Sequence, residues 1–251
     1  MARIFSAYET RRLSAYGFAG RSLDAYGEMP VEYLTGFAEF CGYEFAVDAS
    51  VMIPRIETEA IVEMAVAYCE KLKHCVIADI GTGSGCIGIA VQLELCKRGM
   101  RSEMWLADIS PQALEIAKRN AARLFGPDSG AIHFVKSDLL SGFPTGMTFD
   151  VILANLPYVP QGRIVGLPPS VRDFEPSLAL DGGKDGAELI NRLLGQVAKR
   201  MNPRGMLIAE VDEMHALDRF KIPGGYAAQI LKDDFGKNRF LALEKQKTAS
   251  D

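Results

Sequence analysis

Val76-Ile77-Ala78-Asp79-Ile80-Gly81-Thr82-Gly83-Ser84-Gly85 is a short β-branched run that ends in an aspartate and a cluster of glycines. Ser84 to Cys96 continues as a helical pattern. Strand, glycine turn and helix in that order open a βαβ unit. The same grammar repeats outward from it. Met104 to Ala107 reads as a strand ending at Asp108. Pro111 to Leu124 reads as a helix, with Ser110 as its N-cap and Pro111 in its first turn. Ile132 to Val135 is a strand that leads to Asp138, and Phe149 to Ala154 a strand that leads to Asn155. Glu188 to Met201 reads as a helix stopped by Asn202-Pro203. Met206 to Val211, Tyr226 to Leu231 and Arg239 to Leu243 read as further strands. This alternation predicts an α/β, doubly wound, mostly parallel sheet of Rossmann-like type with helices on both faces. Such sheets bind ligands beyond the carboxyl ends of their strands. Here those ends carry Asp79, Asp108, Asp138 and Asn155.

The chain before this unit is less regular. Thr58 to Leu72 has Ile61, Met64, Ala65 and Tyr68 at helical spacing. Gly42 to Val51 reads as a hairpin, with Phe45 and Val47 alternating against polar neighbours. Residues 1–50 are aromatic and dotted with glycine, without a clean helical period. They are expected to form a short N-terminal region ahead of a main domain over 51–251. Ala15-Tyr16-Gly17 recurs as Ala25-Tyr26-Gly27, too short a copy to mean a repeat architecture.

Composition narrows the function. The 251 residues are 48% apolar and 24% charged, enough for a full-sized core. A formal net charge of −4 implies no broad basic field, so strong non-specific nucleic-acid binding is not the default. The five cysteines contain no C-x-x-C pair, and no histidine stands at metal-ligand spacing from one of them; no metal site is expected. Cys86, inside the helix after the glycine loop, reads as a packed thiol. The run from Val76 to Val91 is interrupted by glycines and Asp79 and is no membrane span. Arg3, Arg11, Arg12 and Arg21 would suit a transit peptide, but Glu9 and Asp24 oppose that reading. A cytoplasmic, monomeric protein is expected.

The strand ends suggest the chemistry. Asp79 to Gly85 has the form G-x-G-x-G, neither the dinucleotide fingerprint nor a P-loop, since no lysine stands in it. It suits close approach of a ligand smaller than a pyrophosphate to the backbone; a tight turn with no ligand is the alternative. A carboxylate at Asp108 can accept two hydrogen bonds from a ribose diol, or it caps a helix. Asp138 with Leu139 and Leu140 could bound an adenine pocket, or form a turn. Asn155-Leu156-Pro157-Tyr158 follows a buried strand and is the most telling segment. An amide or exocyclic amine is a poor nucleophile because its lone pair is delocalised. The Asn155 side-chain carbonyl and the Leu156 backbone carbonyl can accept both its hydrogens and aim the lone pair at an electrophile. Pro157 holds the turn, and Tyr158 offers a flat face for a planar substrate.

With these residues in place, the chain resembles the HemK, or PrmC, family of release-factor glutamine methyltransferases over residues 30 to 246. Pro30-Val31-Glu32-Tyr33-Leu34-Thr35-Gly36 resembles a P-x-x-Y-x-x-G lead-in. Val51-Met52-Ile53-Pro54-Arg55-Ile56-Glu57-Thr58-Glu59 resembles the family's I-P-R-P-E-T-E signature. Asp79 to Gly85 resembles D-x-G-T-G-S-G, and Asp108 to Leu114 a ribose-binding strand end. Phe149 to Tyr158 resembles F-D-x-I-x-x-N-P-P-Y, Glu175 to Gly186 resembles E-P-x-x-A-L-x-G-G-x-D-G, and Lys232 to Phe240 resembles the last loop and strand.

The resemblance implies a seven-stranded sheet whose last strand is antiparallel. It implies S-adenosylmethionine as cofactor, with S-adenosylhomocysteine as product, lying against Asp79, Gly81, Thr82, Gly83 and Gly85. Asp108 and Ile109 would then stand at the ribose, Asp138 and Leu139 at the adenine, and Asn155 between cofactor and substrate. Asn155, Leu156, Pro157 and Tyr158 would be the catalytic residues, with Arg55 and Glu59 at the substrate entrance. The implied partner is a class I peptide release factor, methylated on the glutamine of its Gly-Gly-Gln motif, with no need for nucleic acid or membrane. Two features depart from the pattern. Leu156 stands where the family usually has proline, and N-L-P-Y is typical of ribosomal RNA adenine dimethylases. Only about fifty residues precede Pro54, so the N-terminal substrate-recognition region is reduced. A ribosomal-protein glutamine, or an RNA or DNA amino group read along a track from Arg3, Arg11, Arg12, Arg21 and Arg55, are the alternative acceptors.

Overall fold

The computed structural model describes residues 3–20, 24–126 and 131–246. The chain begins with α1 (Ala7–Ala15) and α2 (Val31–Thr35), then a hairpin of β1 (Phe37–Phe40) and β2 (Tyr43–Ala46). The main domain runs α3 (Glu59–Cys69), β3 (His74–Ile80), α4 (Cys86–Lys97), β4 (Arg101–Asp108), α5 (Pro111–Phe125), β5 (Ile132–Lys136) and β6 (Phe149–Ala154). It continues through α6 (Gln161–Ile164), α7 (Pro169–Arg172), α8 (Glu188–Val197), β7 (Met201–Glu210), β8 (Tyr226–Lys232) and β9 (Asn238–Lys245). Strands β3 to β9 form one seven-stranded sheet in the order β5-β4-β3-β6-β7-β9-β8. All pairs are parallel except those of β9, which runs antiparallel to β7 and to β8. The strand order reverses between β3 and β6, and the glycine loop and Asn155 both leave the sheet at that crevice.

Burial on both faces explains the apolar runs in the central strands. Ile77 of β3 packs into the cluster under α3, α4 and α5, while Ala78 and Ile80 join the opposite cluster with Leu193 and Leu194 of α8. The polar exception is Asp79, fully buried at the carboxyl end of β3. At α5, the Ser110 hydroxyl accepts the Ala113 N–H at 3.2 Å with Pro111 in the first turn, the predicted cap.

Three expectations need correction. The hairpin spans Phe37 to Ala46, so the window Gly42 to Val51 catches only its second strand. The turn is Cys41-Gly42, both at positive φ (51° and 74°), as a two-residue hairpin turn requires. Phe40 and Phe45 are fully buried and bind the hairpin to the main core. Residues 1–50 also contain a regular helix, α1. Its capping box pairs the Ser6 hydroxyl with the Glu9 N–H and the Glu9 carboxylate with the Ser6 N–H. Finally, the helix predicted to reach Met201 ends at Val197. Buried Met201 opens β7, and Asn202-Pro203 lies in that strand beside a register irregularity and a positive φ at Arg204 (61°). A bulge there tolerates the proline.

Asn120 on α5, fully buried, fastens the N-terminal region to the site. Its side chain accepts the Ala46 N–H at 2.7 Å and donates to the Ser84 carbonyl at 2.8 Å, joining hairpin and glycine loop. Gly85, at φ 82°, lets that loop turn into α4. A Cβ there would lie 2.7 Å from Ile89 Cδ1 and 3.1 Å from the Ala117 Cβ. Gly85→Ala is therefore expected to cost ~2 kcal/mol and to lower the thermal unfolding midpoint by roughly 5 °C. Calorimetry showing an unchanged midpoint would contradict that packing.

Candidate active site

The glycine loop is tied down at both ends. Gly81 N–H and Thr82 N–H both donate to the Ala107 carbonyl (2.8 and 3.0 Å), and Gly85 N–H donates to the Thr82 carbonyl (2.8 Å). Asp79 Oδ2 accepts from the Thr82 hydroxyl at 2.6 Å and from Gly88 N–H at 3.1 Å. Burial pushes the Asp79 carboxyl up to about 6. Asp79 thus organises the loop from behind and does not border the cavity in front of it. Asp108 does border that cavity. Its Oδ2 accepts Gly83 N–H and its Oδ1 accepts Ser110 N–H, both at 2.9 Å, and burial raises its carboxyl above the ordinary aspartate range.

The cavity in front of the loop holds about 460 Å³. Gly81, Thr82, Gly83, Asp108, Ile109, Asp138, Leu139, Asn155, Leu156 and Pro157 line it, with Arg55 at one side. The sequence-predicted cofactor residues are therefore brought together, except Asp79 and Gly85, which lie behind. Gly85 lies under α4 against Ala117. Asp138 contributes to the wall; its Oδ2 pairs with Arg192 at 2.6 Å, and its Oδ1 makes no hydrogen bond within the described residues. Leu139 is buried at positive φ (53°), with its carbonyl held by the Ser137 hydroxyl.

A second cavity of about 260 Å³ meets the first at Asn155 and Leu156. Tyr158, Arg163, Asp212 and Arg239 form its far side, and Met52 and Arg55 border both spaces. Asn155 Nδ2 donates to Thr58 Oγ1 at 3.2 Å and to Glu210 Oε2 at 3.1 Å. The nitrogen end of the amide is thereby turned toward this pair, whose oxygens are themselves 2.6 Å apart, and Oδ1 makes no hydrogen bond within the described residues. Tyr158 donates its hydroxyl to Glu210 Oε1 at 2.8 Å; burial and that carboxylate push its phenol up. Glu210, 1% exposed at the end of β7, is the residue that sequence reading missed. Its burial raises its carboxyl above the usual glutamate range. The available signal was a carboxylate at the end of an otherwise apolar strand, Met206 to Val211.

The stretch from Val159 to Gly186 braces this arrangement. Val159 forms a parallel bridge with Asp181, and Gly182 N–H donates to the Val159 carbonyl at 2.9 Å. Gly182 packs so close that a Cβ would lie 2.7 Å from Tyr158 Cα and 2.8 Å from the Pro157 carbonyl oxygen. Arg55 lines both cavities, with one guanidinium nitrogen paired to the buried Glu175 of the same stretch. Glu59 borders neither cavity. Its Oε1 accepts Cys41 N–H at 2.6 Å and steadies the hairpin turn, so its expected place at the entrance is corrected. Two members of the expected basic track are engaged within the N-terminal region. Arg12 is buried, donating to Thr35 and the Phe37 carbonyl, and Arg3 pairs with Glu9. Arg21 lies outside the described residues.

Comparison with known proteins gives this geometry its setting. Residues 71–248 match the family model described as a methyltransferase domain. The fold is shared with a methyltransferase from Pyrococcus furiosus (TM-score 0.54, 18% identity, 96% of this chain and 100% of that one). It is also shared with a ribosomal protein L11 methylase from Lactobacillus delbrueckii subsp. bulgaricus (TM-score 0.50, 21% identity, 77% and 81%). The chain is thus an enzyme of the methyltransferase class. It is 39% identical over 195 residues to the release factor glutamine methyltransferase of Koribacter versatilis, covering 76% of this chain and 67% of that protein. It is 37% identical over 222 residues to that of Moorella thermoacetica, covering 86% and 76%. The chain belongs to the release factor glutamine methyltransferase family.

The raised Asp79 carboxyl has a consequence for stability. Its folded value lies above the unfolded one, so the fold favours the protonated form. Its contribution is full below about pH 4, falls as the unfolded chain ionises, and levels off above about pH 6. Asp79→Asn keeps an acceptor for Thr82 and Gly88 and removes the charge. Unfolding midpoints of the two proteins are expected to diverge between those pH values, with the variant gaining, and to run parallel above them. Curves parallel throughout would contradict a buried, strained carboxylate.

Proposed function

We propose that this enzyme transfers a methyl group from S-adenosylmethionine to the side-chain amide nitrogen of a protein glutamine. We further infer that the glutamine is that of the Gly-Gly-Gln motif in a class I peptide release factor, in the cytoplasm. Among the described residues no helix is long and apolar enough to cross a membrane. The observation that carries the reading is Asn155. It lines both cavities, and its amide nitrogen is held by Thr58 and Glu210 while its oxygen has no hydrogen-bond partner among the described residues.

The larger cavity suits the cofactor. At Gly83, φ 55°, no protein atom comes within 4 Å of where a Cβ would stand, so backbone is open to a ligand. Asp108 keeps lone pairs for a ribose diol, and Ile109, Leu139 and Leu156 supply apolar walls. Bound there, S-adenosylmethionine would supply an electrophilic methyl group. The chain's own residues do the rest. Asn155 Oδ1 and the Leu156 carbonyl accept the two hydrogens of the acceptor nitrogen. Tyr158, its hydroxyl anchored on Glu210, fixes the flat wall beside it. Pre-set dipoles of this kind reduce the reorganisation needed as charge develops on the nitrogen. No strong base is required, because the nitrogen can lose its proton after bond formation.

The smaller cavity suits an uncharged acceptor. Arg163 pairs with Asp212 through both carboxylate oxygens at 2.9 Å, Arg239 with Asp233, and Arg55 with Glu175. Its cations are thus matched by protein carboxylates, which favours a peptide amide over a phosphate-bearing strand. Residues 1–50, fastened to α5 through Asn120 and a small apolar cluster of Ala38, Val47, Ala113 and Ile116, serve as part of the grip on the protein substrate.

Asn155→Ala is expected to lower kcat for methylation of an unmethylated release factor by roughly a hundredfold or more. Affinity for S-adenosylhomocysteine should stay within about twofold. Radiolabel transfer and titration calorimetry measure the two. Parallel loss of both would remove Asn155 from the acceptor role.

A further inference from the structure

We propose that Glu210, acting with Thr58, is a positioning residue: together they hold the Asn155 side-chain amide in the one orientation that presents its oxygen to the acceptor. The inference rests on the reading of Asn155 as the group that receives the acceptor's N–H. It goes beyond that reading by identifying what sets the orientation.

A carboxamide has two ends of nearly equal size, one accepting and one donating. Packing alone does not choose between them, so hydrogen bonds must. Around Asn155 they come from two segments remote in sequence. Glu210, at the end of β7, places Oε2 3.1 Å from Asn155 Nδ2. Thr58, in the turn before α3 and 1% exposed, places Oγ1 3.2 Å from the same nitrogen. Thr58 spends its own proton on Glu210 Oε2 at 2.6 Å, so its oxygen is an acceptor toward Asn155. Glu210 Oε1 is taken by the Tyr158 hydroxyl at 2.8 Å.

The network has only one consistent proton pattern when Glu210 is ionised. If the Asn155 amide turned over, its carbonyl oxygen would face the Glu210 carboxylate and the Thr58 lone pairs. Its N–H2 would point at the acceptor nitrogen, donor against donor. A buried acceptor–acceptor contact with an anion is strongly unfavourable. The same logic excludes a carboxylate at position 155, since it would oppose Glu210 charge to charge at about 3 Å. Glu210 is thus what makes asparagine the working residue there, and Thr58 gives the Val51 to Glu59 segment its part in the site.

The decisive experiment is a set of substitutions assayed for methylation of an unmethylated class I release factor, with S-adenosylhomocysteine affinity measured alongside. Glu210→Met removes the acceptor at nearly constant size. It is expected to lower kcat by roughly thirtyfold or more while cofactor affinity stays within about twofold. Glu210→Gln should remain within roughly tenfold of wild type, because its carbonyl can still accept from Asn155 while its amide donates to Tyr158. Asn155→Asp should be nearly inactive at pH 8. Adding Glu210→Gln to it should restore activity at least roughly tenfold, since the new amide donates to the new carboxylate. That rescue is a sign reversal that a merely structural role would not produce.

Unchanged kcat in Glu210→Met, or no rescue in the double variant, would overturn the proposal. If Glu210→Met fails to fold, the double variant decides. If Asn155→Ala is itself fully active, the reading of the site fails instead, and the two failures are told apart. Should wild type methylate no release factor, 15N-asparagine NMR still reads the network. The Asn155 side-chain hydrogens, assigned by their loss in Asn155→Ala, should exchange slowly in wild type and rapidly in Thr58→Val. Equal exchange in both would overturn it.

Discussion

A single buried carboxylate, that of Glu210, ties together three parts of the chain that lie far apart in sequence. It receives Thr58 from the segment before α3, Asn155 from beyond β6 and Tyr158 three residues further on. A glutamate that is 1% exposed is costly to ionise unless several donors satisfy it. Here three donors do so, and each thereby loses its freedom to turn. The contacts that offset the cost of burying this carboxyl also order the turn from Asn155 to Tyr158. The adjacent strand order matters too. β6 and β7 are parallel neighbours, so the Asn155 and Glu210 ends emerge side by side at the crevice.

The remaining contacts keep the Asn155–Tyr158 turn from drifting relative to the glycine loop. Leu156 occupies the space that a Cβ on Gly81 would need, 2.8 Å from its Cδ2, so the turn and the glycine loop touch directly. Leucine in place of proline therefore keeps the backbone carbonyl and adds a side chain that fills the gap between the glycine loop and the turn. From the other side Gly182 packs on Pro157 and Tyr158, and the Arg55–Glu175 pair fastens the same stretch to the I-P-R segment. Buried His215 adds a contact, with Nε2 2.9 Å from the Asp185 carbonyl. Rigid support of this kind preserves reactive alignment, which is lost by shifts of about an ångström.

The βαβ grammar was legible because central strands buried on both faces must be apolar, and polar residues then mark their ends. The glycine loop, Asp108 and the Asn155 turn could be read for the same reason. Less legible was whatever depends on long-range partners. Asp79 has the composition of a ligand contact, yet it is spent on Thr82 and Gly88 behind the loop. Glu59 belongs to a segment whose neighbours line the site, but its own carboxylate faces the Cys41 turn. Glu210 sat inside an apolar strand with no motif around it. The hairpin was displaced because Phe37 to Phe40 does not alternate cleanly in polarity. Pro203 looked like a helix stop because a bulge that admits proline leaves no local signature.

The central claim is that the acceptor cavity beside Asn155 takes a glutamine amide of a release factor. Its most direct test is tandem mass spectrometry of a purified, unmethylated class I release factor after incubation with this enzyme and S-adenosylmethionine. The account predicts one added methyl mass on the Gly-Gly-Gln glutamine and on no other residue. A release factor left unmodified by enzyme that binds cofactor normally, or methyl mass on a different residue, would contradict it.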